Sequence, residues 1–268
     1  MDFDDVFPRL AGLPAATNDL AGLKADVRDV TLLGETKHLE RLPSLSAIRR
    51  LWCVNTKRNI VSAISACTQL SALYLDALSA SDLRFLRPFT NLEVLRLDGA
   101  TQVTSFEPVG ELRQLRGLSL EHFPKVRSLE PLARLTQLEV LDVSGSVWTR
   151  MRVDSLEPIR ELESLRFLSL TNLKPEDDSL QALADLTSLR ELRLANFYPV
   201  EEMARLAASL PTTSCDWFFP YQDLGQPCEK CGAGLLMPTG KGKRVFCPTC
   251  LPNRRKRLED EWDSMRSA

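Results

Sequence analysis

Histidine is scarce in this chain: there are two in 268 residues, and neither His38 nor His122 lies in a recognisable catalytic motif. No G-x-S-x-G nucleophile turn and no H-E-x-x-H metal pair occurs. The stretch from Gly234 to Gly240-Lys241 looks superficially like a phosphate loop, but it is one residue too long and places Gly242 where Ser or Thr is required. His122 beside Glu121 remains as a weak acid–base pair, so these shortages argue against an enzyme. Long apolar runs are missing too, and none approaches the roughly 20 residues that span a bilayer. The opening Met-Asp-Phe-Asp-Asp is acidic where a secretory leader would be basic, which leads to the expectation of a cytoplasmic protein. An excess of one charge is also lacking, the formal net charge being -2. That balance predicts neither wholesale nucleic-acid binding nor an acidic tail. It hides an asymmetry, because residues 226–268 hold nine basic and five acidic side chains and are therefore mildly basic. Four of the seven cysteines fall in two close pairs near one end, a metal pattern rather than a disulfide framework.

What the chain has in quantity is repetition. L-x-x-L-x-L recurs as Leu70/Leu73/Leu75, Leu92/Leu95/Leu97, Leu115/Leu118/Leu120, Leu138/Leu141/Val143, Leu165/Leu168/Leu170 and Leu189/Leu192/Leu194. Two degenerate copies precede these, Val27/Val30/Leu32 and Ile48/Leu51/Cys53. The fourth and sixth positions alternate with polar residues, the period of a short strand with one buried face. Further apolar anchors follow at three-residue intervals, as in Leu129, Leu132, Leu135 and Leu138, which suits a 3₁₀ turn or short helix returning outside. One such unit cannot bury its own leucines, so neighbours must stack and share a core. A finer phrase, Ser105-Phe106-Glu107-Pro108-Val109, Ser128-Leu129-Glu130-Pro131-Leu132 and Ser155-Leu156-Glu157-Pro158-Ile159, occupies the same place in consecutive units. There Ser can cap and Pro fits the first helical turn.

With a unit near 22 residues, this phrase resembles the bacterial internalin-like leucine-rich repeats over about residues 20–200. The resemblance implies an α/β solenoid with a parallel sheet on its concave face. The Asn usual in that class three residues after the sixth position is replaced by Ala100, Phe123, Ser146, Leu173 and Phe197, so its asparagine ladder should be absent or altered. The expected organisation is an N-terminal cap over 1–26, about eight repeats over 27–198, a C-terminal cap over 199–225, and a zinc module with a charged tail helix over 226–268. Within the caps, a last helix is expected over 199–210 and a closing strand around Cys215–Phe219.

On the concave face, side chains between the leucines point outward one strand apart. One column reads Thr31, Trp52, Tyr74, Arg96, Ser119, Asp142, Ser169, Arg193; the column after the last leucine includes Asp76, Asp98 and Glu121; a third includes Val94, Val140 and Phe167. Trp52 and Tyr74 are expected as neighbouring open aromatics that anchor a partner. Asp76, Asp98 and Glu121 are expected as an acidic ladder beside Arg96, on a face that suits a protein or basic peptide and repels phosphate. Trp148 lies in an enlarged loop between Val143 and Ser155, a rim position that either touches a partner or packs over the next turn.

Cys228-x₂-Cys231 and Cys247-x₂-Cys250, 15 residues apart, supply four thiolates for a tetrahedral Zn²⁺. With every position filled by Cys, the metal is expected to be structural. A hairpin of Gly234–Met237 with Lys243–Phe246 would complete a zinc ribbon. Lys241, Lys243, Arg244, Arg254 and Arg255 are the candidate nucleic-acid contacts, though Glu259-Asp260-Glu261 follows at once. Cys53, Cys67 and Cys215 read as buried small hydrophobes. The reading that results is a non-enzymatic intracellular scaffold binding a protein on its concave face, with a nucleic-acid-associated protein working through the basic ribbon as the alternative.

Overall fold

A computed structural model describes residues 3–8 and 12–267. Strands β1 (Ala16–Asp19), β2 (Asp29–Lys37), β3 (Arg50–Val54), β4 (Ala72–Leu75), β5 (Val94–Asp98), β6 (Gly117–Glu121), β7 (Val140–Ser144), β9 (Phe167–Leu170) and β11 (Glu191–Leu194) form one parallel sheet in that order. The enlarged repeat adds β8 (Met151–Val153), paired in parallel with β10 (Leu173–Pro175). The register aligns Thr31, Trp52, Tyr74, Arg96, Ser119, Asp142, Ser169 and Arg193 across successive strands, the column read from the repeat.

The returning chain shows why its apolar anchors are three residues apart. Leu132, Leu135 and Leu138 donate backbone N–H bonds to Leu129, Leu132 and Leu135 at 2.8, 2.9 and 3.0 Å, so every third side chain points to the core. The 3₁₀ turns Glu130–Arg134 and Glu157–Glu161 carry Pro131 and Pro158 in their first turn. Ser105, Ser128 and Ser155 each accept the N–H two residues on, at 3.1, 3.2 and 3.0 Å. A short α-helix, α2 (Arg58–Ile64), takes this place in an earlier repeat.

The turn that follows each strand works without an asparagine ladder. Asn55, Ala77, Gly99, His122 and Asn172 all stand two residues beyond the last strand leucine or its equivalent, with φ between 47 and 84°. Ala100, Phe123 and Leu173 then enter the core completely, and Phe123 meets Phe106 edge-on at 5.1 Å. Backbone bonds between repeats continue the stacking: Leu78 donates to Asp98, Gly99 to Glu121, and His122 to Ser144. His122 is therefore a turn residue.

Helix α1 (Phe3–Val6) and Phe7 lie across the concave face rather than over the first repeat alone. At the other end, α3 (Val200–Ser209) covers the last repeat. The closing strand expected at Cys215–Phe219 is reduced to a parallel bridge at Ser214, whose carbonyl accepts from Leu192 and whose N–H donates to Arg190, both at 2.8 Å. The chain then turns, with Phe218 donating to Cys215.

The ribbon also departs from expectation. Strand β13 (Gly234–Pro238) pairs antiparallel with β12 (Tyr221–Pro227), and the Lys243–Phe246 side contributes only a bridge between Leu236 and Phe246. The connecting loop is held by the solenoid, which draws the return strand away. Gly240 donates to Asn196 Oδ1 at 2.7 Å, Lys241 N–H donates to Tyr198 at 2.9 Å, and Asn196 Nδ2 donates to Pro238 at 3.0 Å. At φ 108° Gly240 lies so close to Val200 that an added Cβ would stand 2.8 Å from the valine Cβ. Helix α4 (Pro252–Arg266) packs along α3, and its Trp262 enters the repeat core at 3% exposure.

Candidate partner-binding face and metal centre

Trp52 and Tyr74 are stacked neighbours on the concave side, with ring centroids 4.9 Å apart. They are not open. Their exposures are 6% and 7%, because Val6 and Phe7 lie over them and the Tyr74 hydroxyl donates to the Val6 carbonyl at 2.9 Å. Burial raises the Tyr74 phenol to about 12. Phe167 is likewise covered: Phe3 stacks on it at 4.7 Å, and the Arg193 guanidinium lies over both rings. The expectation of exposed anchors fails for a physical reason. A cluster of Trp52, Tyr74, Val140 and Phe167 is too apolar to stay in water, and the chain supplies its own cover. The signal was present as Phe3, Val6 and Phe7, apolar at i, i+3 and i+4 in the opening segment.

The acidic ladder sits at the downstream ends of the strands. Asp98 pairs in register with Glu121, and Arg96 reaches both ways, 4.0 Å from Asp76 and 3.6 Å from Glu121. One guanidinium does not balance three carboxylates. Burial raises the pKa of Asp76, Asp98 and Glu121; neighbouring carboxylates add to this at Asp98 and Glu121, while Arg96 opposes it at all three. Asp142, which the sequence reading did not select, joins them one strand further on. It is 7% exposed, accepts from the Ser119 hydroxyl at 3.1 Å, and leaves Oδ1 without a hydrogen-bond partner among the described residues. Desolvation raises its pKa against the pull of Ser169, Ser119 and Ser144. A hollow of about 460 Å³ opens here, lined by Glu121, Asp142, Ser169 and Arg193 with Phe3 on its edge.

The same hollow is bordered by Val147, in the enlarged loop. Trp148 is 93% exposed and does not pack over the neighbouring turn. The loop is fixed at its base, where Asn172 Nδ2 donates to the Ser146 carbonyl at 2.7 Å and Arg150 lies over the Phe197 ring.

The four cysteines Cys228, Cys231, Cys247 and Cys250 converge, with all their sulfurs within 4.8 Å of one another. Separations of 3.3, 3.5 and 4.0 Å between pairs bracket the roughly 3.8 Å edge of a tetrahedron with 2.3 Å metal–sulfur bonds. Both pairs use the same turn: Gly232 donates to the Cys228 carbonyl at 2.8 Å, and Leu251 to that of Cys247 at 3.0 Å. Gly232 stands at φ 75°, a conformation that favours glycine. The Cys250 backbone N–H, with help from the neighbouring thiols, lowers the pKa of Cys247, while contacts among the sulfurs raise Cys250. The donor set fits a closed soft-metal site with no position for a reacting water. Cys53, Cys67 and Cys215 are buried, and desolvation raises all three thiols, Cys67 and Cys215 to about 11.

Of the basic candidates, three are engaged within the chain. Lys241 reaches Asp178 at 3.3 Å, Arg254 lies over Phe246 and donates to the Arg244 carbonyl, and Arg255 bonds Glu259 and the Tyr221 hydroxyl. Lys243 and the Arg244 side chain have no ion-pair partner among the described residues. No helix of the described residues is long and apolar enough to cross a membrane.

No family model and no curated protein matches the chain. Among solved structures, an internalin of Listeria monocytogenes is similar at 20% identity and a TM-score of 0.55, over 69% of this chain and 51% of the internalin. A leucine-rich-repeat protein of Leptospira interrogans aligns at 18% identity and a TM-score of 0.48, over 70% and 61% of the two chains. Internalin C2 of Listeria monocytogenes aligns at 21% identity and a TM-score of 0.46, over 63% and 78%. The chain thus spans about half the length of the first internalin, whose fold it shares. The protein has the leucine-rich-repeat fold, with a four-cysteine cluster at its C-terminal end.

Proposed function

We propose that this protein is a non-enzymatic intracellular scaffold that holds a basic protein or peptide segment on its concave face. The observation that carries the reading is the half-exposed acidic ladder of Asp76, Asp98 and Glu121, extended one strand further by the buried Asp142. Asp76, Asp98, Glu121 and Asp142 face one Arg96, and burial makes every unbalanced carboxylate costly. An incoming Lys or Arg side chain relieves that cost and gains charge-assisted hydrogen bonds, whereas phosphate is repelled. Trp148 on the adjoining rim offers an exposed aromatic anchor. Zinc in the Cys228/Cys231/Cys247/Cys250 site is structural, and the module works as the solenoid's C-terminal cap through Asn196, Tyr198 and Trp262. The nucleic-acid reading is weaker, since Lys241, Arg254 and Arg255 are already engaged.

The test is affinity capture from native lysate with and without nuclease, comparing wild type with Asp98→Asn/Glu121→Gln. A nuclease-resistant protein partner that the variant loses at least tenfold supports the reading. Capture that vanishes with nuclease and ignores the variant moves the function to the basic module.

A further inference from the structure

The concave sheet has two halves, and the apolar one is occupied by the chain itself. Helix α1 makes one turn, with Phe7 donating its N–H to the Phe3 carbonyl at 2.8 Å. That turn brings Phe3 and Phe7 to 5.2 Å and aims both rings at the sheet. Phe3 lands on Phe167, Phe7 meets Tyr74 edge-on at 6.5 Å, and Val6 fills the space over Gly117. A Cβ at Gly117 would stand 2.4 Å from Val6 Cγ1, so the absent side chain is what makes a seat for Val6. Val6 and Phe7 are 4% and 2% exposed. This is a short helix seated in a groove by residues at i, i+3 and i+4, a mode by which proteins recognise helical peptides.

Among the described residues, the fit is incomplete at one edge. Trp52 Nε1 and Thr31 Oγ1, neighbours in register, are buried with no hydrogen-bond partner among the described residues. A buried donor left without an acceptor costs about 1–3 kcal/mol. An occupant bringing an acceptor to Trp52 would therefore outbind the resident one, residue for residue.

We infer that the groove over Trp52, Tyr74, Gly117 and Phe167 is a receptor for a short helix of the type Phe-x-x-Val-Phe, and that residues 3–7 are its exchangeable intramolecular occupant. The partner is a polypeptide carrying that aromatic–aliphatic triplet, with an acceptor for Trp52 Nε1. The inference rests on the concave face being the working surface and adds what its apolar half recognises. Because the resident helix is tethered, it competes at an effective concentration on the order of millimolar. Partners therefore bind only by displacing it.

The probe is a fluorescein-labelled peptide, MDFDDVFPRLAG, titrated into the full-length zinc-loaded chain and followed by anisotropy. Phe3→Ser/Val6→Ser/Phe7→Ser empties the groove and is expected to bind the peptide at least tenfold more tightly than wild type. Adding Gly117→Val to that variant fills the Val6 seat and should remove the binding. If the triple variant fails to fold, Phe3→Ala, which leaves Val6 and Phe7 in place, must show the same ordering against wild type. A folded variant that binds no more tightly than wild type overturns the inference. So does wild type that runs as a dimer whose assembly is lost in the triple variant, since the occupant would then come from a second copy. If the peptide fails while Asp98→Asn/Glu121→Gln still loses its partner, this inference alone falls; if the partner also ignores the acidic variant, the concave-face reading falls with it.

Discussion

Asp142 illustrates how single residues on this face are balanced. Its carboxylate is nearly fully buried among serines, with one oxygen lacking a partner among the described residues, and its pKa is raised in the folded chain chiefly by desolvation. A raised carboxylate pKa means that the folded state holds the proton more tightly than the unfolded one. The stabilising contribution is full below the ordinary Asp range and is lost as pH rises through the folded value. Asp142→Asn should therefore raise the melting temperature at pH 7 by roughly 2–4 °C, about 1 kcal/mol for a domain of this size. The gain should shrink as pH falls through the folded value, below which the wild-type group is itself protonated. Scanning calorimetry of both proteins across that range checks the sign. Phe123 carries the opposite lesson. It stands where the internalin-like pattern has Asn, and it is fully buried against Phe106. Phe123→Asn should cost about 3 kcal/mol or more, because a ring is lost and an amide enters an apolar seat. Urea unfolding should show a lower midpoint with little change in slope.

Strands and turns were legible because each obeys a strict period. The L-x-x-L-x-L phrase places the strands of the long sheet from β2 to β11 but not the short pair β8 and β10, and the three-residue spacing of Leu129, Leu132, Leu135 and Leu138 anticipates the 3₁₀ return. Elements fixed by tertiary contact were not legible. Helix α1 is a single turn, and the periodicity of five residues cannot say which surface it will cover. The ribbon's return strand was misplaced for the same reason: Asn196 and Tyr198, some forty residues away, hold the loop that a local reading assigns to a hairpin tip. The ligand cysteines were legible from spacing alone, while the openness of Trp52 and Tyr74 was not, since exposure belongs to the folded chain. The serines that precede the 3₁₀ turns offer a test at this scale. Ser128→Ala removes the acceptor for the Glu130 N–H and should destabilise by about 0.5–2 kcal/mol, read from the same urea curves.

At the scale of the molecule, a solenoid has two ends to close and one face to use. The C-terminal end is closed by α3, the docked ribbon loop and α4, so the metal module and the repeats share a boundary rather than a flexible joint. Metal removal should then be felt in the repeats. Cys247→Ser, or a strong chelator, is expected to abolish the metal content and expose Trp262, with a red-shifted emission and a lower melting temperature. Unchanged emission after metal loss would separate the module from the cap. The proposed working surface is the concave face, whose aromatic half is covered by residues 3–7 and whose acidic half borders a hollow among the described residues. Photo-crosslinking locates the partner most directly: a photoreactive residue is placed at position 98, 148 or 243, and nuclease-treated lysate is irradiated. The account predicts a protein adduct from positions 98 and 148 and none from 243. An adduct from 243 alone would contradict it and place the binding surface on the metal module.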